Sequence, residues 1–330
     1  MRVNAVAEIV NGNLLNQPPI SHFENITTQI THVMRGTLFI CTKESDAREA
    51  IMLGAYGILF EDGDLQVIDE ECAWIKVDSL QDAITRLIRY KLLSRNISVI
   101  YLKNIEYEIA KEITTDPTLD FLQGGYSDFL ESTQKQGIQK IITNNTALLE
   151  VPLEFTRSIL PDNEPFKIIS CTLFDSKIYF DSKRYTLSLP SIFLGYLSSV
   201  ITLFLNEGIY FSLEYFKSIP YLKPIFIAAN NLLCPHGQSG RVLLAEEQQE
   251  HFRFYASYLQ ENAKWAKIAF FVPQSKIFLF PDALSYTDSD SLFEAIKNTK
   301  FNFALILGVN SAFLLDHLQN SAIESSLFDD

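Results

Sequence analysis

Chemistry in this chain would have to come from five histidines, four cysteines and a few places where acids, bases or glycines cluster. His251 could serve as a general base, but the surrounding sequence identifies neither a nucleophile nor an orienting carboxylate for it, so helix packing or exposure is its plainer role. The preceding Glu246-Glu247 pair reads as the acidic first turn of a helix, where carboxylates suit the positive end of the dipole. His236 and Arg241 lie in the glycine-containing loop PHGQSGR, 235–241; without a strand before it and a helix after it, this reads as a surface loop and not as a phosphate cradle. His22, His32 and His317 have no partners at metal-ligand spacing, and Cys41, Cys72, Cys171 and Cys234 form no CxxC pair, so buried reduced thiols are expected. The most informative stretch is 98–113, SVIYLKNIEYEIAKEI, which has the pattern of a buried strand, a turn and a helix with Ile105, Ile109 and Ile113 as its apolar stripe and Asn104 placed to cap it. A phosphate would need glycines at that turn, then Lys and Ser or Thr. Lys103, Asn104, Glu106, Tyr107 and Glu108 stand there instead, and the two glutamates in the first turn would repel an anion.

The elements around these residues alternate strand and helix. A helix over 3–10 precedes a strand near 37–42, a helix across 47–53, strands at 57–60 and 74–77, and a helix over 80–93 with Ala83, Ile84, Leu87 and Ile88 on one face. Further strands are expected at 140–143, 268–272 and 303–307, and helices at 246–271 up to the strand, 291–298 and 311–318. The uncharged run 190–206, PSIFLGYLSSVITLFLN, is at the short edge of the roughly 17–25 residues that a membrane span requires and ends at Glu207-Gly208, so it reads as a buried core helix. With 330 residues and 47% apolar content, the chain can build more than one core; its net charge of −13 argues against a duplex nucleic-acid partner or an anionic membrane surface. The first residues, MRVNAVAEIVNGN, are interrupted by Asn4, Glu8 and Asn11 and do not read as a secretory signal, and the acidic tail from Glu324 is expected to fray.

Segments 5–14, 26–41, 47–60 and 73–89 follow one another in the order of the amino-terminal domain of the Mur ligases, and the chain resembles that family, most closely the branch that adds D-alanyl-D-alanine to a UDP-muramoyl tripeptide. In the family the next element is the strand and Gly-rich Lys-Thr loop that binds ATP; here it is YLKNIEYEIAKEI. The family's Thr-Thr-Asp-Ser/Thr-Arg segment, which holds the uridine end of the substrate, corresponds to Thr27-Thr28-Gln29-Ile30-Thr31-His32. The Thr pair is kept, the Asp and Arg are not, and Arg35 is the nearest remaining cation. The phrase EVPLEFTRSIL, 150–160, is similar to the family's Gly-Val-Pro-Leu-Thr segment, and no room exists between Ile169 and Lys177 for the long insert that carries the family's acidic metal ligand, His and carbamylated Lys. The family's β-hairpin, followed by an apolar helix that ends in Gly-Ile, corresponds to 177–189 and to the run ending at Gly208-Ile209; near the end, His251 matches a family His, while Leu307-Gly308-Val309, followed by Asn310 and Ser311, stands where the family has Lys-Gly-Ser.

The resemblance implies an α/β protein with a three-part architecture: a small N-terminal α/β domain over 1–96, an abbreviated central α/β domain with a degenerate phosphate loop over 97–215, and a Rossmann-like C-terminal domain over 216–330. It implies vestigial substrate contacts at Thr27, Thr28, Thr31 and Arg35, a vestigial C-terminal site at His251, Gly308, Asn310 and Ser311, no bound cofactor or metal, and a cytoplasmic, catalytically inactive protein that partners cell-wall synthesis proteins. Two other readings stay open: a sensor that still binds a UDP-muramoyl precursor, and a working ligase whose phosphate site lies elsewhere.

Overall fold

In the computed structural model the described residues are 1–61 and 67–327. They divide into two compact units, Met1–Tyr107 with Thr115–Ile159, and Glu108–Thr114 with Leu160–Asp330. Each of the two holds two sheets.

The first unit opens with α1 (Val3–Ile9), β1 (Asn13–Leu14), β2 (Asn25–Thr27), β3 (Thr37–Cys41), α2 (Glu44–Met52), β4 (Gly57–Phe60), β5 (Ala73–Lys76) and α3 (Leu80–Ser94). Strands β2 to β5 run parallel in the order β5-β4-β3-β2, with β1 antiparallel on the β5 edge. Alternation along a strand sends successive side chains to opposite faces. In β3, Leu38 and Ile40 therefore enter the core shared with α1 and α3, while Phe39 and Cys41 join Ala47, Ala50 and Trp74 on the α2 side. Gly57 is required here, since a Cβ at that position would come within 2.5 Å of the Phe23 ring. The second sheet follows from β6 (Ser98–Tyr101), α4 (Asn104–Ile113), β7 (Leu119–Leu122), α5 (Tyr126–Ser132), β8 (Lys140–Thr143) and β9 (Thr156–Arg157). It is parallel throughout, in the order β7-β8-β6-β9. One apolar core runs from Val6 and Leu87 of the first layer to Val99, Phe129 and Ile141 of the second. The 150–160 phrase is tied to it by Arg89, whose guanidinium donates to the carbonyls of Val151 (2.7 Å) and Glu150 (2.8 Å).

In the second unit, β10 (Lys167–Cys171), β11 (Ser176–Phe180) and β12 (Lys183–Leu187) form an antiparallel sheet. The expected hairpin is β11 to β12, turned at Asp181 and Ser182, both with positive φ, the conformation that a two-residue hairpin favours. The uncharged run forms α6 (Leu194–Glu207), whose Leu197, Val200, Ile201 and Phe204 are fully buried. At about 1.5–3 kcal/mol for each such side chain, this helix is a large part of the unit's stability. Gly208 ends it in the left-handed region (φ +64°), and Ile209 N–H returns to Phe204 O. Among the described residues, no helix is long and apolar enough to cross a membrane.

The last sheet is built from β13 (Ile225–Phe226), β14 (Val242–Glu246), α7 (Gln249–Asn262), β15 (Ile268–Pro273), β16 (Leu284–Tyr286), α8 (Ser289–Asn298), β17 (Phe303–Leu307) and α9 (Ser311–Leu327). Its order is β13-β14-β17-β15-β16, with all strands parallel except the short β13. Two expectations are corrected here. Glu246 is the last residue of β14 and not part of a helix: the apolar run 242–245 is buried in the sheet, and the helix begins three residues later. Buried thiols hold for Cys41 and Cys72, the latter pushed up to about 12 by burial and then by Asp69, but Cys171 is exposed and Cys234 half-buried. The backbone of α9 continues to Leu327, and the rest of the tail expected to fray, 328–330, lies outside the described residues.

Candidate functional site

The turn between β6 and α4 consists of Leu102 and Lys103 only, since the strand ends at Tyr101 and the helix begins at Asn104. Leu102 is fully buried. Lys103 caps the helix through its backbone: its carbonyl accepts from Tyr107 N–H (2.8 Å), and its N–H donates to Glu106 Oε2 (3.0 Å). The Glu106 side chain thus reaches back over the helix start, the acidic half of a capping box. Ser158 Oγ donates to the same oxygen (2.7 Å), and Glu106 is only 4% exposed. Asn104 does not provide the cap; its Oδ1 accepts from Asn144 Nδ2 (3.0 Å). Of the two glutamates, only Glu106 is in the first turn; Glu108 opens the next one, half-buried. Tyr107 is buried edge-on against Phe121, their centroids 5.4 Å apart. A turn of two residues has little backbone with which to wrap a phosphate, and the chain's own Glu106 carboxylate lies at the helix start.

A second carboxylate, Glu131 of α5, lies at the carboxyl end of β2 in the first sheet. Thr27 ends β2, buried; its Oγ1 accepts from Gln29 N–H (3.0 Å) and donates to Glu131 Oε1 (3.0 Å). His32 Nδ1 lies 3.1 Å from that same oxygen. Beside it, Gln134 pairs with both backbone groups of Ile26, accepting from N–H (2.9 Å) and donating to O (2.7 Å), and so acts as a partner for the open edge of β2. Thr28 is half-buried just beyond the strand and Thr31 is exposed. Arg35, also exposed, donates from Nε to Tyr56 Oη (2.9 Å). The four residues therefore do not converge: Thr27 faces a glutamate, and the Arg35 guanidinium is engaged with Tyr56.

The C-terminal residues do converge. A cavity of about 490 Å³ opens at the carboxyl ends of β14 and β17, lined by Glu246, Glu247, Asn310, Ser311, Tyr221 and Lys223 among others. Ligands in open parallel sheets bind at this end of the strands. Gly308 turns β17 into it with φ +91°, and a Cβ there would crowd Pro273 (3.0 Å) and Tyr286 Oη (3.1 Å); its N–H donates to Glu246 O (2.7 Å). Asn310 caps α9, accepting from Phe313 N–H (2.9 Å), and its Nδ2 donates to Glu247 Oε1 (3.2 Å). Glu246 is buried, with Oε1 accepting from Gln248 N–H (2.8 Å) and lying 3.7 Å from His251 Nδ1. That separation is beyond a hydrogen bond, and His251 Nδ1 is buried without a partner. The imidazole sits between the rings of Tyr221 (5.8 Å) and Tyr255 (5.9 Å). Burial, above all, raises the Glu246 carboxyl above its ordinary range, only partly offset by the Gln248 N–H and His251, and burial raises Tyr221 too. Two carboxyls, the Asn310 amide, the Tyr221 and Ser311 hydroxyls and the Lys223 ammonium thus meet at the carboxyl end of this sheet.

Sequence reasoning missed Glu246 as a site residue, Glu131 and Gln134. The PHGQSGR loop contributes no free cation: Arg241 donates to Asn231 Oδ1 (2.9 Å) and lies over the Phe301 ring, and His236 Nε2 is 3.3 Å from Asp175. Among the described residues, no three His, Cys, Asp or Glu are grouped to hold a metal ion.

No protein-family model matches the chain, and no curated protein sequence does. Solved structures match it along nearly its whole length. Two from Acinetobacter baumannii, a crystal structure of MurF and one of UDP-N-acetylmuramoylalanyl-D-glutamyl-2,6-diaminopimelate--D-alanyl-D-alanyl ligase, align over 98% of both chains with TM-scores of 0.60 and 0.57. The fold is that of the Mur ligases. MurF ligase from Thermotoga maritima, solved in complex with ADP, aligns over 90% of this chain and 96% of its own with a TM-score of 0.54. Identities of 10–11% make this Mur-ligase likeness one of fold.

Proposed function

We propose that this chain is a Mur-ligase-like protein that performs no ATP-dependent ligation and acts as a binding or scaffolding partner in cytoplasmic peptidoglycan precursor synthesis or cell-shape control, built on the three-part plan divided at residues 96 and 215. The observation that carries the proposal is the start of α4. A two-residue turn is too short for the glycine-rich loop that wraps a nucleotide phosphate, and the Glu106 carboxylate that takes Lys103 N–H would repel an anion there. Glu131, accepting from Thr27 and lying against His32, supports the same reading for the diphosphate end of a UDP-muramoyl precursor, because a second anion there would meet a carboxylate. The pathway comes from the likeness to ligases that act on muramoyl peptides, and the partners are accordingly proteins of cell-wall synthesis.

The test is phosphate release from ATP in the presence of Mg²⁺, UDP-muramoyl-tripeptide and D-alanyl-D-alanine, run beside an active Mur ligase. The expected result is no turnover above the buffer rate. ATP turnover that depends on both substrates would overturn the proposal. Binding of the muramoyl precursor without turnover would replace the scaffold with a sensor.

A further inference from the structure

At the opposite end of the last sheet from the cavity already described, where β14 and β17 begin at Val242 and Phe303, there is a second cavity of about 470 Å³. Its volume lies in the range, about 300–1,000 Å³, of small-molecule sites. Aromatic rings reach it from separate parts of the unit: Phe174 from the turn after β10, Phe226 from β13, Phe303 from β17, and Trp265 from the turn after α7. The phenylalanines brace one another edge to face, Phe174 at 5.9 Å from Phe303 and 6.5 Å from Phe226. Trp265 packs its edge on Phe303 at 5.9 Å, yet the residue is 73% exposed. A tryptophan left in water at the rim of an aromatic-walled cavity is poorly placed for stability and well placed to cover a ring.

The polar groups of the wall narrow the ligand further. Among the described residues, none that lines the cavity carries a charge, so they offer no counter-ion for a charged guest. The hydroxyls are already used: Ser239 Oγ donates to Ile227 O (2.6 Å), and Tyr258 Oη meets Ser191 Oγ and Leu173 O, each at 3.0 Å. Asn262 is different. One N–H of its amide donates to Tyr258 O (2.9 Å), which leaves a second N–H donor and the Oδ1 acceptor on the same amide.

We propose that this cavity binds an uncharged, planar aromatic molecule that carries a carboxamide-like donor and acceptor on one edge, its ring covered by Trp265 and its polar edge paired with Asn262. The proposal does not depend on the ligase-like reading, because it uses neither the α4 turn nor the carboxyl-end cavity.

Three probes of one shape separate the possibilities: benzamide, which is neutral, benzoate and benzamidinium. Each is titrated into the full chain while two signals are followed, the red-edge emission of the exposed tryptophan and the rate at which a thiol reagent modifies Cys171, an exposed residue of the same wall. Subtraction of Cys171→Ser isolates that thiol from Cys234. Benzamide is expected to give saturable changes in both signals, with a dissociation constant on the order of 1 mM, fitting for a fragment of this size. Benzoate and benzamidinium should bind at least about tenfold more weakly, since neither finds a counter-charge. Trp265→Ala should abolish protection of Cys171, and Asn262→Ala should remove the preference for benzamide while the far-UV circular dichroism of both variants stays unchanged. Absence of a saturable response to benzamide, equal binding of all three probes, or full protection of Cys171 in a folded Trp265→Ala variant would each overturn the proposal.

Discussion

Removing the Glu106 side chain measures directly what it does at the start of α4. In Glu106→Ala, Lys103 N–H and Ser158 Oγ lose an acceptor that is 4% exposed, and the helix loses its first-turn anion. A hydrogen bond to a charged group contributes about 1.5–3 kcal/mol, and a first-turn carboxylate about 0.3–1 kcal/mol more. Water can reach part of the opened space, so the expected loss is about 3 kcal/mol and not the full sum. Glu106→Gln keeps one acceptor oxygen and the shape, and should lose about 1–2 kcal/mol. Urea unfolding at neutral pH, fitted with a common slope, gives both values. The double variant Glu106→Ala, Ser158→Ala should show coupling of about 1 kcal/mol. A loss below about 0.5 kcal/mol for Glu106→Ala would mean that the carboxylate does not hold the turn, and the reasoning that it fills an anion's place would fail with it.

Other perturbations have equally definite outcomes. Glu246 has a folded-state pKa raised above the ordinary value of 4.5, so the native state binds its proton more tightly than the unfolded chain does. Its contribution to stability is therefore fully present below the ordinary carboxylate range and is lost as pH rises through the raised value. Glu246→Gln should be more stable than the parent at pH 7 and no more stable near pH 4, which thermal unfolding at the two pH values will show. Gly308→Ala places a Cβ against Pro273 and Tyr286 at a left-handed φ and should cost about 1–3 kcal/mol in urea unfolding, without altering the first unit's near-UV signal from Trp74. Gly57→Ala drives a Cβ into the Phe23 ring and should cost about 1–3 kcal/mol or more, measured by the same transition.

Local patterns made part of this fold legible and long-range pairing hid the rest. The apolar, uncharged run with Gly208 after it specified α6, the β-branched run before Asn104 specified β6, and the family resemblance supplied the hairpin, whose turn is Asp181-Ser182. Strand β14 escaped because Glu246, Glu247 and Glu250 look like the acidic start of a helix, although the buried run Val242 to Ala245 before them was itself a strand signal. At the helix start the sequence revealed that glycines and the Lys-Thr pair are missing, but not that Glu106 turns back to accept Lys103 N–H. Glu131 could not have been foreseen from sequence. It stands 104 residues from Thr27 on a short helix preceded by the turn-like Gly124-Gly125, and nothing local to either residue signals the other. The same holds for the aromatic cavity, whose walls are collected from residues 171 to 303.

We propose that the protein's own Glu106 carboxylate stands where a nucleotide phosphate would sit at the start of α4. The most direct test is thermal unfolding of the full chain in saturating ATP and Mg²⁺, with UDP-muramoyl-tripeptide as a parallel arm. A nucleotide bound to the native state at a hundred times its dissociation constant would add about 2.7 kcal/mol and shift the transition visibly upward. No shift is expected with ATP and Mg²⁺; a concentration-dependent rise would show that the start of α4, or another site on this chain, still takes a nucleotide, and the proposal would fall.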